Sequence, residues 1–128
     1  MKYRVKHFEI REFACRCCGR AAVTVALVFW LDVLRRSLGQ PLHINSGFRC
    51  AAHNARVDGS ASSRHLIGCA ADVAKPERVD YDVFFQFARR LSCEGWEAIE
   101  YPSRSHIHLA VPRDQQSRVW NGERVITV

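Results

Sequence analysis

Ser63-Arg64-His65-Leu66-Ile67-Gly68-Cys69-Ala70-Ala71-Asp72, with His106-Ile107-His108 further along, is the part of the sequence that decides how the chain is read. His65, Asp72 and His108 form a two-histidine, one-carboxylate set. Such a set can hold a zinc ion and leave its fourth position open for water. Zinc held this way polarises a carbonyl and brings the ionisation of water towards neutral pH, which is the chemistry of amide hydrolysis. Gly68 lets the backbone turn between His65 and Asp72, since glycine takes positive φ without strain. Ala70 to Ala74 reads as a buried strand that holds the Asp72 carboxylate rigidly. His106 and His108 alternate with Ile107 and Leu109, so on a strand both imidazoles point to one face. One loop ligand and two strand ligands then converge over a sheet. Taken singly, each residue has an ordinary reading, with the histidines as surface residues and Asp72 as a cap.

Outward from this stretch the pattern is mixed. His7 to Phe13 opens the chain with Phe8 and Phe13 as anchors on the core. Thr24 to Leu38 predicts a helix, with Leu27, Leu31, Leu34 and Leu38 recurring at three and four and Gly39 and Pro41 stopping it. Leu42 to Asn45 reads as a short strand, and Ala51 to Val57 as a short helix closed by Asp58-Gly59. Asp80 caps a second long helix over Tyr81 to Ser92, with Val83, Phe84, Phe87, Ala88 and Leu91 on its inner face. Trp96 to Tyr101 and His106 to Val111 make an antiparallel pair around Pro102 to Ser105. Asn121-Gly122 between Val119-Trp120 and Val125 to Val128 signals a hairpin. The fold class is therefore α+β. A small antiparallel sheet carries helices packed on one face and a metal cleft on the other, within a single domain over residues 1–128.

Composition narrows the function. The 128 residues are 48% hydrophobic and 25% charged, as in a globular protein able to bury its own core. No run reaches the 18 or more apolar residues of a membrane helix, and Ala21 to Leu34 is interrupted by Asp32, so no membrane partner is expected. The formal charge of +6 and pI of about 9.3 favour an acidic partner. The arginines are scattered (Arg35, Arg36, Arg56, Arg64, Arg89, Arg90, Arg113, Arg118), with no basic run interleaved with aromatics, so nucleic acid is not the expected one. Cys15, Cys17 and Cys18 precede Gly19, and Cys50, Cys69 and Cys93 follow singly. Cys15-x-x-Cys18 has the spacing of half a zinc knuckle without a second Cys-x-x-Cys. Free thiols, a disulfide formed after export and a small structural metal site are the three readings. The polar, basic Met1 to His7 lacks the apolar core of a signal peptide, so the chain is expected to be made in the cytoplasm with its thiols free.

Ser-x-His-x-x-Gly-x-Ala-x-Asp, from Ser63 to Asp72, resembles the signature of the zinc D-alanyl-D-alanine carboxypeptidases. That family also holds L-alanyl-D-glutamate endopeptidases of bacteria and phages. The similarity includes Ile44 to Cys50 with His53-Asn54, and Glu100-Tyr101-Pro102 with His106-Ile107-His108, and covers roughly residues 8 to 112. It implies His65, Asp72 and His108 as ligands of one catalytic Zn2+. It implies Arg49 as the guanidinium that orients the substrate, a role suited to a fork that grips a carboxylate bidentately. Ser63 joins Arg49 as a substrate contact. Family members usually carry an acidic general base close to the last histidine, whereas this chain has Ser105 and Ala110 there. Glu100 is then the expected base and His106 its helper.

The resemblance implies a peptidase acting on peptidoglycan stem peptides, and the chain is expected to be a monomer. Such a chain would reach the wall after release, by a holin-like route or as a phage product. Two other readings stay open. One is a metal-bound murein- or protein-binding module with a degraded site, as the related hedgehog domain shows the fold allows. The other is a cysteine-metal nucleic-acid-binding protein built on Cys15, Cys17 and Cys18.

Overall fold

A computed structural model describes residues 5–127. Val128, the last residue of the expected C-terminal strand, and the polar start Met1 to Arg4 lie outside the described residues. Helix α1 spans Val25–Leu38. Its first turn is capped by Thr24, whose Oγ1 accepts from the Leu27 N–H at 3.4 Å, and Gly39 ends it in the left-handed region at φ 68°. Arg35 and Arg36 in the last turn complement the helix dipole. Helix α2 is the short Ala51–Arg56, and α3 runs Tyr81–Arg90 behind Asp80, which accepts from the N–H groups of Asp82 and Val83.

The main sheet has four strands: β1 (His43–Ser46), β2 (Ala70–Ala74), β3 (Glu97–Tyr101) and β4 (His106–Ala110). Their order is β1-β2-β4-β3 and every pair is antiparallel. Alternation sorts the side chains. Ile44, Ala71, Val73, Ile107 and Leu109 are buried against Leu27, Val28, Trp30, Leu31 and Leu34 of α1 and Phe84 and Ala88 of α3. Each large side chain buried there stabilises the fold by about 1.5–3 kcal/mol. The indole Nε1 of Trp30 donates to the Ala88 carbonyl at 3.0 Å, tying α1 to α3. Ser46, Asp72 and His108 fall on the other face in register with one another. This is the expected α+β architecture, helices on one face and the polar cleft on the other.

Two details differ from expectation. Val83 is 45% exposed, because the inward stripe of α3 centres on Phe84 and Ala88, with Tyr81 and Phe85 beside them. The C-terminal hairpin of β5 (Arg118–Trp120) and β6 (Val125–Thr127) forms its own two-stranded sheet. Its four-residue loop is held by Asn121, whose Oδ1 accepts from the N–H groups of Glu123 and Arg124 at 2.9 Å. Trp120 is buried, and its N–H donates to the Val23 carbonyl at 3.0 Å. Phe8 and Phe13 anchor the opening segment in the core as expected, with ring centroids 5.8 Å apart.

Candidate active site

His65 sits in a 3-10 turn, Arg64–Ile67, just before β2 in the chain. Ser63 caps the turn, accepting from the His65 N–H at 3.2 Å, and Gly68 closes it at φ 72°. A Cβ at Gly68 would meet the Ala22 carbonyl group at 3.0 Å, so the position requires glycine for space as well as for conformation. The ring is buried, and its Nδ1 lies 2.7 Å from the Gly47 carbonyl. That contact makes Nδ1 the donor and turns Nε2 towards Asp72 Oδ2 3.4 Å away. His108 faces Asp72 across the β2–β4 pair, with Nδ1 2.9 Å from Oδ1.

His65 Nε2, the Asp72 carboxylate and His108 Nδ1 thus converge, all within 4.8 Å of one another. Donors around a tetrahedral zinc with bonds of about 2.0–2.1 Å stand about 3.3 Å apart. The separations of 3.4 Å and 2.9 Å match that spacing, and the Gly47 contact is the outer support a ligating histidine normally has. The donor set fits zinc. Burial alone would push the Asp72 carboxyl up, but hydrogen bonds and charge from His108 and His65 hold it well below the usual carboxylate range.

Arg49 approaches the same carboxylate, its Nη2 3.2 Å from Asp72 Oδ2. Nε donates to Ser46 Oγ at 3.1 Å and Nη1 to Asn54 Oδ1 at 3.3 Å. Asn54 is itself buried, and its Nδ2 donates to the Ser60 carbonyl at 2.8 Å. Three of the five guanidinium N–H groups are therefore engaged, leaving one on each terminal nitrogen for a ligand. Ser46, Gly47 and Asn54 were not singled out in the sequence as site residues. They lie in the Ile44–Cys50 and His53-Asn54 segments, which point to them only once their contacts are seen.

The strand register places the acidic residues. Ile99 pairs with His108, so Glu97, Ile99 and Tyr101 share the metal face while Ala98 and Glu100 do not. Glu100 stands opposite the fully buried Ile107 and belongs to the helix side. Burial, together with the charges of Glu100 and Asp82, pushes the Tyr81 hydroxyl at the start of α3 up, which places Glu100 near that helix. Glu97 instead lines the cleft, diagonal to His108 and within reach of a long side chain. His106 also lines the cleft, its ring stacked on Tyr101 with centroids 5.2 Å apart.

The cleft is open and measures about 450 Å³. Besides the metal donors it presents Arg49, Arg64, Arg104 and Arg113 against Asp58 and Glu97. Ser63 is at its wall, with its hydroxyl already engaged by the His65 N–H. A cleft with a metal site and four guanidinium groups suits a small ligand bearing carboxylates.

The profile of the family described as Peptidase M15 matches residues 6–110. A relative, the zinc D-Ala-D-Ala carboxypeptidase of Streptomyces albus G, is 36% identical over 93 residues, which make up 70% of this chain and 36% of that protein. The chain thus spans little more than a third of the length of that curated relative. The His65–Asp72–His108 donor set fits one Zn2+, the metal in that relative's name. With its matched region enclosing every donor and the Arg49 corner, the chain belongs to the peptidase M15 family.

Proposed function

We propose that the chain is a zinc metallopeptidase that hydrolyses peptidoglycan stem peptides at an amide next to a D-amino acid. The observation that carries this reading is the convergence of His65 Nε2, Asp72 and His108 Nδ1 in an open cleft beside the anchored guanidinium of Arg49. Zinc, when bound, supplies the Lewis acid that polarises the scissile carbonyl and makes water nucleophilic at neutral pH. The remaining N–H groups of Arg49 grip a substrate carboxylate, holding the peptide in line with the metal. Glu97 is the proton acceptor in this scheme, taking the role first expected of Glu100, because its carboxylate is on the metal face. His106, held against Tyr101, donates towards the developing oxyanion or the leaving amine. A binding module without catalysis is less well supported, since Glu97 supplies a carboxylate to the cleft.

The relative, a D-Ala-D-Ala carboxypeptidase by name, favours D-alanyl-D-alanine as the bond, and the arginine-rich cleft suits its terminal carboxylate. L-alanyl-D-glutamate, with its free α-carboxylate, has the same chemistry. Incubating the zinc-loaded protein with purified murein sacculi and analysing the products separates them. Free D-alanine identifies a carboxypeptidase, and new D-glutamyl amino termini identify an endopeptidase. Release of neither by folded, zinc-loaded protein would overturn the proposal.

A further inference from the structure

We propose a second metal site, for zinc or a similarly thiophilic divalent cation, formed by the thiolates of Cys15, Cys18 and Cys50. The three sulfurs lie within 4.8 Å of one another, in a cluster separate from the His65–Asp72–His108 group. Four features point to a metal. Zinc bound to thiolates at about 2.3 Å brings sulfurs to about 3.8 Å from each other, within that limit. Cys15-Arg16-Cys17-Cys18-Gly19 is folded as a knuckle: the Cys15 N–H donates to the Arg20 carbonyl at 2.7 Å and the Gly19 N–H to the Cys15 carbonyl at 3.0 Å. Gly19 turns the chain at φ 78°, and Ala14 pairs with Ala21 below the turn.

The third feature is the set of main-chain N–H groups aimed at sulfur. The Cys50 N–H donates to Cys15 Sγ at 3.4 Å, and the His53 N–H donates to Cys50 Sγ at 3.4 Å. Such donors are the outer contacts that orient metal ligands. The fourth is that a disulfide would consume two of the sulfurs and strand the third, whereas one metal engages all three. Cys17, the intervening residue, turns out of the cluster, and its Sγ accepts from Arg56 at 2.6 Å. Cys15 is buried and Cys18 exposed, so the fourth coordination position opens to solvent.

The site would join two segments that the catalytic cleft depends on. Cys50 follows Arg49 and begins α2, while Arg16 of the knuckle donates to the carbonyl of Ile44 at 2.8 Å on β1. A metal there locks the Arg49 corner to the opening segment through three strong bonds, and its binding energy becomes folding energy.

The test is metal content, by mass spectrometry of protein refolded with zinc, and cobalt absorption. Wild type should hold one equivalent at the His–Asp–His site and a second at the cysteines. His65→Ala should keep the cysteine equivalent and, with cobalt, show the sulfur-to-cobalt charge-transfer band. Cys18→Ser should lose that band and that equivalent, while Cys17→Ser keeps both. Because Cys18→Ser can fail to fold, the cobalt spectrum of His65→Ala stands as the independent readout. A His65→Ala protein without metal, or a disulfide joining any two of Cys15, Cys18 and Cys50 in the aerobically purified chain, would overturn the proposal.

Discussion

Gly47 joins the packing of the opening segment to the geometry of the metal site. Its carbonyl receives the Nδ1 hydrogen of His65 at 2.7 Å, and its Cα lies flat against the backbone of Phe13. A Cβ at this position would stand 2.7 Å from Phe13 Cα and 3.0 Å from its carbonyl oxygen, whereas ordinary contact begins at 3.4 Å. Gly47→Ala must therefore part the two segments by about 0.7 Å, and the obstruction is backbone that cannot swing aside. The Phe48 N–H to Phe13 carbonyl bond of 3.0 Å pins the same two segments and has to stretch with them. Overpacking of this kind costs about 1–3 kcal/mol. In a chain of this size each kcal/mol moves Tm by about 3–5 °C, so a fall of about 8 °C is expected. Displacing the Gly47 carbonyl also releases the His65 ring, and loss of such an outer partner lowers metal affinity by about 10–100-fold. Thermal unfolding and zinc competition against a chromophoric chelator measure the two effects. A variant with the wild-type midpoint and the wild-type zinc affinity would refute the coupling between Phe13, Gly47 and His65.

Glu97→Gln should lower peptide hydrolysis by about 10²–10⁴-fold at unchanged zinc content, while Glu100→Gln stays within a few-fold of wild type; the reverse order in initial rates would return the base to Glu100. Burial raises the Cys69 thiol from its usual 9.0 to about 11. The folded chain then binds more protons at this site than the unfolded one between those values, so stability should fall as pH rises from 9.0 towards about 11. Urea midpoints across that range should drop more steeply for wild type than for Cys69→Ala. Trp30→Phe removes the bond to the Ala88 carbonyl on the helix side of the sheet, and should cost about 1–3 kcal/mol in urea unfolding without altering zinc affinity.

Much of the site is legible in the sequence because strand periodicity carries it. His106 and His108 with buried Ile107 between them announce which face of β4 holds the metal, and small Ala70 and Ala71 announce a strand under Asp72. Glu100 lies away from the metal face for a reason of parity. Tyr101 pairs with His106 across a four-residue connection, which sets Glu100 beside Ile107 and Glu97 on the metal face. Counting back through Pro102 to Ser105 contains that signal, but only if the connection length is known. The anchors of Arg49 depend on contacts between distant segments, Ser46 after a strand irregularity and Asn54 one turn into α2. Val83 is apolar yet exposed, since a single residue of rotation decides which of two adjacent apolar residues on α3 faces inward. The approach of Cys50 to the Cys15 knuckle likewise follows from the contact between Gly47 and Phe13, which no local pattern encodes.

Whether the cleft is a zinc peptidase site is decided by hydrolysis of a stem pentapeptide ending in D-alanyl-D-alanine by the zinc-loaded chain, beside His65→Ala and Asp72→Asn with their folds checked by circular dichroism. Wild type should cleave the amide in a reaction that is stopped by a chelator, restored by zinc, and lost in both variants. Folded wild type with zinc in the His65–Asp72–His108 site that cleaves neither this peptide nor murein, or His65→Ala that cleaves at the wild-type rate, would contradict the zinc peptidase assignment.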